Sequence, residues 1–140
     1  MIKIGKPIKN KISITKIKNK LLALDKKNKI KFIVLFGSVA SGKSNPLSDI
    51  DVAVYYDGND KQRFDFRLLG LSHLPDYVDL QIFQDLPLYL QNDVIKGKVI
   101  YYDNYDSTFN LFRSVIFQYD DCKQYMDMYY KMIDGENVGV

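Results

Sequence analysis

Two hydrophobic rhythms alternate along this chain and assign its elements. Ile14, Ile17, Leu21 and Leu24 recur at spacings of 3, 4 and 3, which gathers them on one face of a helix. Ser13 or Thr15 is placed to cap that helix, which is expected to run to about Lys27. Ile30 to Phe36 is a continuous apolar, β-branched run, the pattern of a buried strand. A glycine-containing loop follows, and Asp49 to Tyr56 reads as a second strand. Asp60 to Leu71 reads as a short helix, Tyr77 to Phe83 as an alternating third strand, and Leu86 to Lys96 as a helix that tolerates Pro87 in its first turn. Lys98 to Tyr102 is a short strand. From Asp106 to Ile133, Phe109, Phe112, Ile116, Tyr119, Met126 and Tyr130 repeat near the helical period. The expected fold class is α/β: a small mixed β-sheet flanked by helices.

Composition narrows this picture. The chain has 140 residues, 46% of them hydrophobic, which suits one domain with one sizeable core. No repeat, low-complexity tract or linker divides it, so a single domain over 1–140 is expected. No apolar run approaches the roughly 18 residues that span a bilayer, and no signal peptide opens the sequence. Together with a lone cysteine, Cys122, this predicts a reducing, cytoplasmic setting and no membrane. One His and one Cys cannot build a zinc site of the usual kind, so a metal here should be a hard cation held by carboxylates. The net charge of +3 is split: residues 1–31 hold eleven Lys against Asp25, leaving 9 basic and 16 acidic groups in the remainder. The basic arm fits nucleic acid or an acidic partner, or else a solvated lysine face on an amphipathic helix, and a lysine count alone does not define a binding patch.

Candidate chemistry concentrates in FIVLFGSVASGKSNPLSDIDVAV, residues 32–54. Gly37 to Ser44 reads G-x-x-x-x-G-K-S, the pattern of a phosphate-binding P-loop. That loop should open a long helix whose amides hold the phosphates. Here Pro46, Leu47 and Ser48 lead at once into a strand-like run from Asp49, which leaves no room for such a helix. The second half of the stretch offers a different site. Asp49 and Asp51 are at i and i+2, so on a strand they share a face, while Ile50, Val52 and Val54 take the other. Two carboxylates on one face repel unless a cation lies between them, and Mg²⁺ prefers such oxygen ligands. Two solvated acids on an edge strand are the plainer alternative. Gly37 lets a ligand approach the backbone closely, and Ser38 can offer hydroxyl and amide to a phosphate at the start of a short helix.

LFGS, ten intervening residues, then Asp49-Ile50-Asp51 resembles the signature of the DNA polymerase β-like nucleotidyltransferase superfamily. Within it, the chain resembles the minimal nucleotidyltransferases, the MNT proteins, over nearly its whole length, with Val78-Asp79-Leu80 as the later acidic strand. Many MNT proteins read GSRARG at the loop. Here Val39 and Ser41 stand where arginines are common, and Lys43 is the nearby cation that could compensate.

The resemblance implies a polymerase β-like nucleotidyltransferase fold. It implies Asp49, Asp51 and Asp79 as catalytic metal ligands for two Mg²⁺ ions, with Asp76 and Asp85 as competing acids at the edges of the third strand. It implies ATP as substrate, its phosphates held by Gly37 and Ser38. It implies AMP transfer to a hydroxyl, and a HEPN-domain toxin, modified on a tyrosine, as partner. A non-catalytic antitoxin acting by complex formation is the alternative, and an RNA-binding or RNA-modifying protein using the lysine-rich arm is a third reading. The aromatic stripe of the last helix would either cover the domain's own sheet or dock the partner. His73, in GLSHLPD, is expected in a loop rather than as a base.

Overall fold

A computed structural model describes residues 12–37 and 49–138, the last five without their side chains. Elements follow in the order α1 (Ile14–Leu24), β1 (Ile30–Phe36), β2 (Ile50–Tyr56), α2 (Asp60–His73), β3 (Val78–Ile82), a 3-10 turn (Phe83–Asp85), α3 (Leu88–Ile95), β4 (Lys98–Tyr102) and α4 (Tyr105–Val138). The four strands form one sheet in the order β3-β2-β1-β4. β1 is antiparallel to β2 and to β4, whereas β2 and β3 run parallel. The expected mixed sheet is therefore present, and so is every predicted strand and helix that falls on described residues. The short helix expected at Ser38 lies outside them.

Most boundaries differ by one to five residues, each for a local reason. α1 stops at Leu24 rather than Lys27 because Asp25 caps it. The Asp25 carboxylate is buried and accepts from Lys29 N and Ile30 N, both at 2.8 Å, so one side chain ends the helix and starts β1. At its other end Ser13 is the cap, accepting from Lys16 N at 3.1 Å. β3 closes at Ile82 because the Gln84 side-chain amide pairs with the Tyr56 backbone, donating to its carbonyl at 2.6 Å and accepting from its N–H at 3.2 Å. α2 opens on a capping box between Asn59 and Gln62. It continues to His73, which is therefore an exposed last helical residue and not a loop residue.

The sheet carries a hydrophobic layer on each face. On one, Ile33, Leu35, Val52, Val54, Val78 and Leu80 pack under α1 and α2. On the other, Phe32, Val34, Ala53 and Phe83 pack under α3 and α4. Phe32 centres the second layer, edge-on to both Phe83 and Phe112 at 5.1 Å. Among the described side chains of α4, Val115 is the last that is buried; Tyr119 is half-buried and residues 120–133 are exposed. The aromatic stripe thus covers the domain's own sheet over its first part only. Among the described residues no helix is long and apolar enough to cross a membrane.

Candidate functional site

The β1–β2 pairing is the first constraint on the chemistry. A P-loop joins a strand to a helix that crosses over to a parallel strand. Here residues 37–49 connect two antiparallel neighbours, so the G-x-x-x-x-G-K-S match has no structural partner.

What the pairing does instead is place the acids. In β2, Ile50, Val52 and Val54 are buried in the α1/α2 layer, which turns Asp51 to the opposite face. In β3, Val78, Leu80 and Ile82 do the same for Asp79. The parallel register sets Asp51 directly opposite Asp79, and the antiparallel register sets it opposite Phe36. The end of β1, Asp51 and Asp79 therefore form one row across three adjacent strands. Asp49 stands exposed just before β2.

Gly37 completes the row from the β1 side. Its backbone has φ +78°, and a Cβ there would lie 2.3 Å from Asp51 Oδ2. A side chain is excluded both by the left-handed conformation and by the carboxylate it would strike. The Gly37 backbone is thus laid against an acid, an arrangement that favours a bare glycine.

The electrostatics agree with the geometry. The Asp51 carboxyl is held above the ordinary aspartate range by burial first, then by the negative charges of Asp79 and Asp49. Asp79 is oriented by a neighbour that sequence reasoning did not single out. Gln81, two residues along the same face, donates from Nε2 to both Asp79 oxygens, at 3.1 and 3.2 Å. The only cue was the V-D-L-Q alternation.

The other candidates sort cleanly. Asp85 belongs to an ion pair, accepting from Arg63 Nη2 at 2.8 Å, and Asp76 sits exposed in the turn before β3. His73 Nδ1 lies 3.0 Å from the Leu69 carbonyl within its own helix. Ser38 and Lys43 lie outside the described residues.

The donor set suits magnesium. It consists of hard carboxylate oxygens whose mutual repulsion a divalent cation would relieve. Among the described residues no three acids enclose a cation by themselves. Magnesium typically binds through one or two carboxylates and completes its shell with substrate phosphates and water. Asp49, Asp51 and Asp79 are the residues that could hold it.

Comparison with known proteins gives the family. Residues 15–106 match the family model described as polymerase beta, nucleotidyltransferase. A curated protein of Methanocaldococcus jannaschii, named for protein adenylyltransferase activity, is 36% identical over 77 residues. That match takes in 54% of this chain and 59% of the relative's length. Among solved structures, a chain of a toxin–antitoxin complex with AMP-PNP superposes with TM-score 0.64 at 24% identity, covering 83% of this chain and 97% of that one. A chain from the complex of tri-AMPylated Shewanella oneidensis HEPN toxin with MNT antitoxin superposes with TM-score 0.59 at 24% identity, covering 84% and 95%. These two likenesses are of fold.

Proposed function

Because the chain belongs to the polymerase β nucleotidyltransferase family, we propose that it is an MNT-type antitoxin that adenylylates its partner. In this reading it transfers AMP from ATP, with Mg²⁺, to a hydroxyl of a HEPN-domain toxin, a tyrosine. The observation that carries the reading is the row Gly37–Asp51–Asp79, in which the bare backbone of Gly37 and two facing carboxylates meet on neighbouring strands. The relatives add support: one is named for protein adenylyltransferase activity, and others come from complexes with AMP-PNP or with an AMPylated HEPN toxin.

Each residue then has a task. Gly37 and Ser38 hold the β- and γ-phosphates, with Lys43 as an added cation. Asp49, Asp51 and Asp79 hold two magnesium ions, which when bound neutralise phosphate charge and lower the pKa of the acceptor hydroxyl. Asp79, kept in place by Gln81, takes up the hydroxyl proton. The acceptor oxygen forms a bond to the α-phosphorus as the bond from that phosphorus to the departing pyrophosphate breaks. The balance is one phosphoester made, one phosphoanhydride broken, and one proton released.

The plain Val39 and Ser41 in the loop favour a second reading, an antitoxin that neutralises by complex formation alone. Label transfer separates the two. The protein is incubated with Mg²⁺ and α-labelled ATP, with and without the HEPN-domain protein encoded beside it. The Asp49→Asn/Asp51→Asn double variant is run in parallel. Label on the partner that disappears in the double variant supports catalysis. Neutralisation that survives in the double variant, with no label in either sample, supports complex formation.

A further inference from the structure

Beside Gln81, at the outer edge of the sheet, lies a cavity of about 370 Å³ lined by Arg67, Gln81, Ile82 and Leu86 and by the ion-paired group of Arg63 with Asp60 and Asp85, so that Arg67 brings the one charge in its wall that has no opposite partner there. The reaction as described leaves it without a task. Its two arginines differ in kind. Arg63 is fully committed: it pairs with Asp85 and Asp60 and donates to the Gly58 carbonyl at 2.7 Å. Arg67 is not. Its Nε donates to the Leu80 carbonyl on the open edge of β3 at 2.7 Å, and among the described residues its two Nη groups donate to nothing.

A guanidinium anchored by one N–H, half-buried, with its fork left open is a prepared receptor for a carboxylate or phosphate oxygen pair. Capping one strand carbonyl needs only one donor, so edge protection does not account for the rest of the group. Gln81 links this cavity to the acids, since it lines the cavity and also donates to Asp79.

Position decides which substrate the cavity serves. Across the sheet the order is Gly37 at the end of β1, Asp51 on β2, Asp79 on β3, then Arg67 outside β3. The proposed reading puts the triphosphate tail at Gly37. In-line displacement requires attacking and leaving oxygens on opposite sides of the α-phosphorus, so the acceptor enters from the β3 side.

We propose that the Arg67 cavity is an acceptor subsite that binds an oxyanion flanking the attacked hydroxyl. That oxyanion is a carboxylate of the acceptor protein beside the attacked hydroxyl, as the proposed protein acceptor requires. Asp79 and Gln81 are about 7 Å apart along the strand, so this charge sits roughly one residue from the hydroxyl. The inference rests on the nucleotidyltransferase reading for its orientation, and its test does not rely on turnover.

The test is calorimetric titration of the full-length protein in EDTA. One pair of probes is acetyl-Glu-Tyr-Glu-amide against its Gln-Tyr-Gln analogue. The other is the dinucleotide ApA against adenosine. In the wild type, the Glu-Tyr-Glu probe should bind about tenfold tighter than its Gln-Tyr-Gln control, or better; a difference confined to the nucleotide pair would overturn a protein carboxylate as the ligand. Arg67→Met should erase that difference while melting temperature and, in a separate titration without EDTA, Mg²⁺·ATP affinity hold. Arg67→Gln, which keeps one donor for the Leu80 carbonyl, should erase it too, so a destabilised Met variant would not obscure the result. Charged and neutral probes binding alike in the wild type, or a preference that survives both variants, would overturn the subsite. Label transfer that works without Arg67-dependent binding would sink this inference alone. Arg67-dependent binding without label transfer would instead sink the catalytic reading and leave an anion site.

Discussion

Asp51 meets burial, two like charges and a glycine backbone at once, and the first prediction follows from its titration. Its carboxyl titrates higher in the fold than the ordinary value of 3.8. The folded protein therefore holds that proton longer, and unfolding releases it. Where the native state binds more protons, stability falls as pH rises. The loss begins near the unfolded value, grows through the raised folded value, and persists above it. Asp51→Asn removes the charge without changing the shape. In EDTA the variant should melt above the wild type at pH 7, by on the order of a few degrees, with the gap closing near pH 3. Scanning calorimetry at both pH values checks this, and a variant that melts lower at pH 7 would refute it. The acids themselves were legible in the sequence, because alternation fixes which residues of a strand share a face. Gln81 and Arg67 were not. Their roles depend on the parallel β2–β3 register and on which face of α2 meets β3, and neither is encoded locally.

Among the elements, α2 is the one whose position matters most to the site, and Gly70 sets that position. A Cβ at Gly70 would lie 2.5 Å from Leu80 Cδ2 and 3.4 Å from Leu21 Cδ2. The bare backbone lets α2 settle onto β3, and that contact brings Arg67 to the Leu80 carbonyl, since the two residues lie one turn apart on the helix. Gly70→Val should overpack the contact and cost about 1–3 kcal/mol, read as a lowered urea midpoint. An unchanged midpoint would mean that Leu80 swings aside without cost. Element type was readable from period and caps, as with Ser13 and the 3, 4, 3 spacing of α1. Element ends were less so. The buried Asp25 cap and the Gln84–Tyr56 pairing are side-chain bonds to backbone, and they override the hydrophobic pattern by a few residues at each end. Helix α4 begins at Tyr105 because the Asn104 side chain accepts from Ser107 N at 2.9 Å.

At the scale of the whole molecule, two parts of α4 answer to different forces. The helix has 34 residues, about 51 Å of length. Thr108 and Val115 are buried, and Phe112 packs edge-on to Phe32. Residues 120–133 are exposed, among them Tyr125, Met128, Tyr129, Tyr130 and Met132. The family match ends at residue 106, so nearly all of this helix lies outside the matched region. Helices of fewer than about 12–15 residues are marginal in water without packing. The distal part gains little from burial and is held mainly by continuity with the packed part. Removing residues 119–140 should therefore leave the melting temperature within about 2 °C and leave Mg²⁺·ATP binding unchanged, while mean helicity falls. In the intact chain, amides beyond residue 120 should exchange with solvent far faster than those of Phe112 to Val115. Uniform protection along α4, or a collapse of stability on truncation, would show that the distal part is bound to the domain after all. If the chain neutralises a partner as proposed, retained stability with lost neutralisation would locate that action in the distal part of this helix, apart from the acids of the sheet.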